Sequence, residues 1–233
     1  MTSYASSVGV SRRQILRLVA AGGVTLGLKM ASGLNSARPA GAQTAMTPDE
    51  ALRALMEGNA RFTANQLTSF KEDLTLLAQK TAEKQEPFAA VLSCADSRVP
   101  VELVFDQSIG HVFVTRVAGN VATPEIIASL EYGVAVLGTR LIVVLGHGAC
   151  GAVTAAIAGK AVPGQISALY APLRPAVDQA GPDPDATIRA NARIQASILR
   201  NASPVMADLV AQNRLKVVAA HYDLASGAVS ILG

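Results

Sequence analysis

Beyond residue 46 the apolar and polar positions follow two rhythms, one helical and one of short unbroken apolar runs. A helical period runs over 48–62, and "MTPDE" introduces it: Thr47 stands as N-cap, Pro48 at the first helical position and Glu50 where a capping box needs it. A more polar helical stretch follows over about 70–85. Apolar runs of strand length recur as "FAAVLS" (88–93), "HVFVTR" (111–116), "RLIVVLG" (140–146), "LKVVAA" (215–220) and "AVSIL" (228–232). Helical segments lie between them over 123–138, 149–158, 165–180 and 185–212. Strands separated by helices predict an α/β fold on a four-stranded, mostly parallel sheet flanked by helices. The turn "DLASG" leaves no room for a crossover helix, so the last strand is predicted to add as an antiparallel edge. Residues 47–233 read as one domain, with 43–46 as a linker.

Composition changes this picture only at the front of the chain. The 233 residues include 20 Lys and Arg and 17 Asp and Glu. Residues 1–42 hold five of the cations (Arg12, Arg13, Arg17, Lys29 and Arg38) and no acid, which leaves 15 basic against 17 acidic groups, a net of −2. No basic cluster remains for a nucleic acid. "SRRQILRLVAAGGVTLGL" sets a twin arginine before a weakly apolar stretch broken by Gly22, Gly23 and Gly27, and small residues follow at Ala40 and Ala42. It resembles a twin-arginine (Tat) export signal. Cleavage after Ala42 is expected, with a periplasmic destination and no stable membrane insertion. A retained anchor is the alternative, although a spanning helix needs about 20 mostly apolar residues.

The candidate chemistry sits at strand ends. "GHGACG" (146–151) matches G-x-G-x-x-G behind a strand, the setting of a dinucleotide loop, and it also spells His-x-x-Cys. A nucleotide fold needs an acid about 20 residues further on, at the end of the next strand. No Asp or Glu occurs between Glu131 and Asp178, and "KAVPGQISALY" is not a strand. The only cysteines, Cys94 and Cys150, could form a disulfide in an exported chain. Alternatively they are metal thiolates. Cys94 closes the first strand, His147 and Cys150 follow the third, and loops at the carboxyl ends of parallel strands converge. Two thiolates and an imidazole suit one Zn²⁺ per subunit and leave a fourth tetrahedral position for chemistry. The glycines would then serve a sharp turn into the next helix, and Gly151 could offer its N–H to a ligand.

"VLSCADSRVP" (91–100) and "GHGACGAV" (146–153) together resemble the two zinc signatures of the β-class carbonic anhydrases. "VFDQSIGHVFVTRVAGNV" (104–121), "SLEYGV" (129–134) and "YDLASGAVSIL" (222–232) extend the resemblance over residues 47–233. It implies a zinc lyase that hydrates carbon dioxide reversibly to bicarbonate and a proton, as a homodimer or homotetramer. The implied ligands are Cys94, His147 and Cys150. Asp96, paired with Arg98, would orient the attacking group, or swing onto the metal as a conditional fourth ligand. Gln85, Phe113 and Tyr132 match substrate-pocket positions of the plant-like, open-site subclass. The chain has no Trp, so the bicarbonate site of the other subclass cannot be assembled in its usual form. Val136 stands where plant members place a histidine. Two other functions compete: hydrolysis of COS or CS₂ on the same zinc site, and an exported binding protein closed by a Cys94–Cys150 disulfide.

Overall fold

The computed structural model describes residues 44–71, 74–201 and 203–233, so the export signal and its cleavage point lie outside the described residues. Helix α1 (Pro48–Thr63) begins as its sequence predicts: Glu50 N donates to Thr47 Oγ1 at 3.3 Å and Thr47 N donates to Glu50 Oε2 at 2.7 Å. The polar stretch behind it forms a 3₁₀ turn (Ser69–Lys71) and a helix α2 (Leu74–Thr81) that stops short of the expected residue 85. Residues 82–86 carry no apolar anchor beyond Ala82, and Pro87 bars further helix.

The strands are β1 (Ala89–Ser93), β2 (Val112–Arg116), β3 (Leu141–His147), β4 (Lys216–Tyr222) and β5 (Val229–Leu232), in the spatial order β2-β1-β3-β4-β5. The first four pair in parallel and β5 runs antiparallel to β4, which is the predicted α/β sheet. Strands β1 and β3 are buried at every position, and so they read as unbroken apolar runs rather than alternating ones. The remaining helices are α3 (Val101–Val104), α4 (Pro124–Ala135), α5 (Gly151–Ala158), α6 (Tyr170–Ala180), α7 (Pro184–Asn201) and α8 (Pro204–Ala211), with a 3₁₀ turn (Ile166–Leu169) before α6. The single helix expected over 185–212 is two. Pro204 has no N–H to continue a helix, and Ser203 Oγ caps the new one by accepting from Met206 N at 3.4 Å.

Helices α1 and α3 cover one face of the sheet, where Leu55, Val104 and Phe105 meet Val91, Val143 and Leu145. On the other face α4, α7 and α8 bring Leu130, Ala192, Leu199 and Met206 against Ala90, Leu92, Ile142 and Val144. The register sets Ser93 beside both Arg116 and Leu145, so the segments after β1, β2 and β3 leave the sheet at one end. A third buried cluster forms there from Cys94, Val121, Cys150, Val153, Leu173 and Ile188. No described helix is long and apolar enough to cross a membrane.

Candidate metal centre

Strand β1 delivers Cys94 directly after its last residue, and β3 ends on His147 itself. Between His147 and Cys150 the chain reverses through Ala149, whose φ is 53°, and Cys150 then becomes the N-cap of α5. The turn expected of Gly148 and Gly151 is therefore made by Ala149. A Cβ on either glycine would meet nothing within 4 Å, so neither is required by packing within the chain. Gly146 is the tight one: a Cβ there would stand 3.1 Å from Ile188 Cγ2 and 3.4 Å from the Ile188 carbonyl oxygen, so its absence lets α7 close onto β3.

The ligand atoms of Cys94, His147 and Cys150 lie within 4.8 Å of one another, and all three residues are buried. Both cysteines are free, with Sγ atoms 4.0 Å apart, so the disulfide alternative is not what forms. Two sulfurs on a tetrahedral zinc, each at about 2.3 Å, stand about 3.8 Å apart. His147 Nδ1 sits 2.9 Å from the Gly148 carbonyl oxygen, a contact that needs the proton on Nδ1 and leaves Nε2 a bare lone pair. That Nε2 is buried without a hydrogen-bond partner, an unfavourable state unless a cation takes the lone pair. These residues fit Zn²⁺.

The electrostatics agree. A hydrogen bond shared with Cys150 pulls the Cys94 thiol far down against its burial, assisted by His147 and by the backbone N–H groups of Gly119 and Asp96. The same shared bond, with burial, pushes Cys150 up. Burial opposes charge on His147, but the neighbouring Cys94 outweighs it and raises the imidazole. A divalent cation would take the place of the proton that the two sulfurs share.

Asp96 and Arg98 stand at the rim. Arg98 Nε and Nη2 donate to Asp96 Oδ1 and Oδ2 at 2.9 and 2.7 Å, and Arg98 N adds a bond to Oδ1 at 2.9 Å. The Arg98 side chain, opposed by partial desolvation, holds Asp96 well below the usual carboxylate range. Nη2 also reaches the Ala149 carbonyl at 3.2 Å, so one guanidinium ties the two ligand loops together. Asp96 Oδ2 is 3.9 Å from His147 Nε2. Sequence reasoning missed Arg116, whose Nε donates to the Cys94 carbonyl at 2.9 Å and whose Nη2 donates to the Asp96 carbonyl at 2.5 Å. The available signal was a charged residue closing an apolar strand at the end where the ligands gather.

A profile of the carbonic anhydrase family matches residues 89–229, a span that holds all three candidate ligands. The chain belongs to the β-class carbonic anhydrase family. Carbonic anhydrase 2 of Mycobacterium tuberculosis is 47% identical over 111 residues, 48% of this chain and 53% of that protein, so the chain spans about half of that relative's length. A carbonic anhydrase of Pseudomonas aeruginosa is 34% identical over 198 residues, covering 78% of this chain and 87% of the relative. A tetrameric β-carbonic anhydrase of Sordaria macrospora superposes with a TM-score of 0.60 at 26% identity, over 69% of this chain and 91% of that one.

The expected β-carbonic anhydrase pocket residues are not gathered around the cluster of their own chain. Gln85 is exposed and precedes the amino end of β1, a strand about 17 Å long whose other end carries Cys94. Phe113 pairs in register with Ala90, near that same amino end, and its ring centroid lies 6.4 Å from that of Tyr132 on α4. Tyr132 is 48% exposed. Of the substrate positions expected, only Gly151, next to Cys150, adjoins the cluster.

Proposed function

We propose that this chain reversibly hydrates carbon dioxide to bicarbonate and a proton, using one zinc ion per subunit held by Cys94, His147 and Cys150. One observation carries the reading: the bare, buried Nε2 of His147 faces two reduced sulfurs, with a paired carboxylate at the rim. When bound, Zn²⁺ supplies the Lewis acidity that makes water nucleophilic near neutral pH. The chain supplies the rest. The Nδ1–H of His147, fixed on the Gly148 carbonyl, keeps Nε2 aimed into the cluster. Asp96, kept ionised by Arg98, accepts a hydrogen bond from the attacking water and turns its lone pair toward the substrate. Val121 and Ile188, packed with the two cysteines, give an apolar wall that suits a substrate without charge.

The open-site, plant-like form is the subclass we assign, supported by the engagement of both Asp96 oxygens with Arg98 and by the absence of Trp. A homodimer or homotetramer follows from the same reading. Gln85, Phe113 and Tyr132 cannot serve the cluster of their own chain, while Tyr132 and Val136 remain 48% and 44% exposed for a second copy to cover. The twin arginine and the acid-free stretch over 1–42 support export to the periplasm by the Tat route.

The deciding experiment is stopped-flow carbon dioxide hydration on zinc-quantified protein, with COS and CS₂ offered in parallel. Stoichiometric zinc without hydration would overturn the reading, and turnover of COS or CS₂ alone would replace it. Sedimentation tests the assembly, and fractionation of cells expressing Arg12→Lys/Arg13→Lys tests the route.

A further inference from the structure

Helix α7 carries two fully buried amides one turn apart, Asn191 and Gln195, at 0% and 1% exposure in the face that packs on the sheet. Each is caught between fixed backbone groups. Ala122 N can only donate, so Gln195 turns Oε1 to it at 2.9 Å. Gln195 Nε2 must then face the other way, where it donates to the Pro172 carbonyl at 3.2 Å and to Asn191 Oδ1 at 3.1 Å. That leaves Asn191 Nδ2 for the Gly119 carbonyl, at 2.8 Å. The N–H of the same Gly119 donates to Cys94 Sγ at 3.3 Å.

The segment so held closes a tight turn, in which Asn120 N donates to the Val117 carbonyl at 2.9 Å. Gly119 and Asn120 take successive left-handed conformations, with φ of 77° and 43°. Glycine and asparagine adopt this region more readily than other residues, so the turn is locally favourable and what the amides add is its placement against Cys94. Gly119 is also wedged, so that a Cβ there would lie 3.2 Å from Leu173.

Resting on the metal site proposed above, we infer that Asn191 and Gln195 are positioning residues for the metal centre: they hold the Val117–Ala122 segment so that the Gly119 N–H donates to the Cys94 sulfur. A hydrogen bond to a metal thiolate withdraws charge from the sulfur, so the thiolate donates less to the metal. Two thiolate ligands weaken the acidity of a zinc ion relative to imidazoles, and the Gly119 bond offsets part of that loss.

The test uses the full chain loaded with zinc and, separately, with cobalt. Asn191→Leu keeps the branched shape and removes the donor to the Gly119 carbonyl together with the acceptor for Gln195 Nε2. It should fold and bind one metal, with the sulfur-to-cobalt charge-transfer band moved to lower energy as the Cys94 sulfur regains charge. A folded variant that binds cobalt with an unmoved band would overturn the inference. If the variant does not fold, the wild type loaded with ¹¹³Cd decides. Scalar coupling between cadmium and the Gly119 amide proton supports the link, and its absence in a spectrum that resolves that amide refutes it. None of these readouts passes through turnover. Wild-type protein that binds metal but fails to hydrate carbon dioxide would sink the functional reading and leave this one standing.

Discussion

Arg98→Ala should separate catalysis from stability. The Arg98 side chain is 52% exposed and that of Asp96 17%, and an ion pair so open to solvent contributes little to folding, so Tm should fall by no more than a few degrees. The consequence at the site is larger. The substitution deletes the contacts of 2.9 and 2.7 Å to the two Asp96 oxygens and the 3.2 Å contact to Ala149, leaving only the backbone N–H of residue 98 on Oδ1. Asp96 is then free to move toward His147 Nε2, now 3.9 Å away. Its carboxyl also returns toward the ordinary range, because the Arg98 side chain is the largest influence holding it down. Because that influence lowers the folded value, the charged form persists to lower pH in the wild type, and the variant should lose activity earlier as pH falls. Outer groups of metal sites are worth about 10- to 100-fold, and hydration should fall by that factor with zinc retained. Arg98→Lys should restore charge without the two-pronged grip and recover only part of the rate. The measurements are zinc content, hydration rate and thermal melt on the same preparations. An unchanged rate with zinc retained would refute the reasoning, and so would a melt that collapses together with the rate.

Cys150→Ser should lose most of its zinc and its hydration activity together, read by elemental analysis beside stopped flow; full zinc occupancy would remove Cys150 from the ligand set. Asp106→Asn should cost about 3 kcal/mol in urea unfolding, the low end for breaking a buried pair because Arg61 keeps some solvent. The buried Asp106 carboxylate accepts from Arg61 Nε at 2.6 Å, from Thr68 N and Ser69 N at 2.9 Å and from both hydroxyls at 2.8 Å, and an amide would turn an NH₂ against some of these donors. Burial pushes this carboxyl up, but Ser69 N–H, Arg61 and the two hydroxyls outweigh it and hold it well below its usual range. Its contribution is therefore complete above the unfolded value of about 3.9 and is lost as pH falls below it; a pH-independent difference between wild type and Asp106→Asn through that window would contradict the assignment. Hydration should rise smoothly with pH, roughly one proton per site, as expected for water on zinc with a pKa near 7 or somewhat higher. A steep onset that depends on bicarbonate would reject the open-site assignment.

The sheet was legible wherever burial made a segment uniform. Strands β1 and β3 are covered on both faces, so an unbroken apolar run bounded by turn residues identifies each without reference to the rest of the chain. Helix limits were less legible because they depend on packing. Polar composition carried the expected 70–85 helix past the point where anything anchors it, and α2 ends at Thr81. The break at Ser203–Pro204 was readable, since Ser-Pro ahead of an apolar run is a helix start, but the continuous amphipathic pattern over 185–212 masked it.

At the site, the residues that could be read are those whose chemistry is unusual for where they sit. Two thiols and an imidazole at strand ends have few uses, and Asp96 and Arg98 stand near enough in sequence for pairing to be inferred. Apart from the bond between Asn191 and Gln195 within α7, Arg116, Asn191 and Gln195 act through contacts with residues 20 to 73 positions away, which no local pattern encodes. One signal for the amides was nevertheless present. Ile188, Asn191, Ala192, Gln195, Ala196 and Leu199 share the buried stripe of α7, and a helix that puts two amides among its apolar positions must satisfy them in the interior. Most of that interior is hydrocarbon, and the backbone it can offer polar partners is where the sheet ends and the chain turns. Amides in the stripe of a helix that covers strand ends therefore point to the loops at those ends, and in this fold those loops carry the metal ligands.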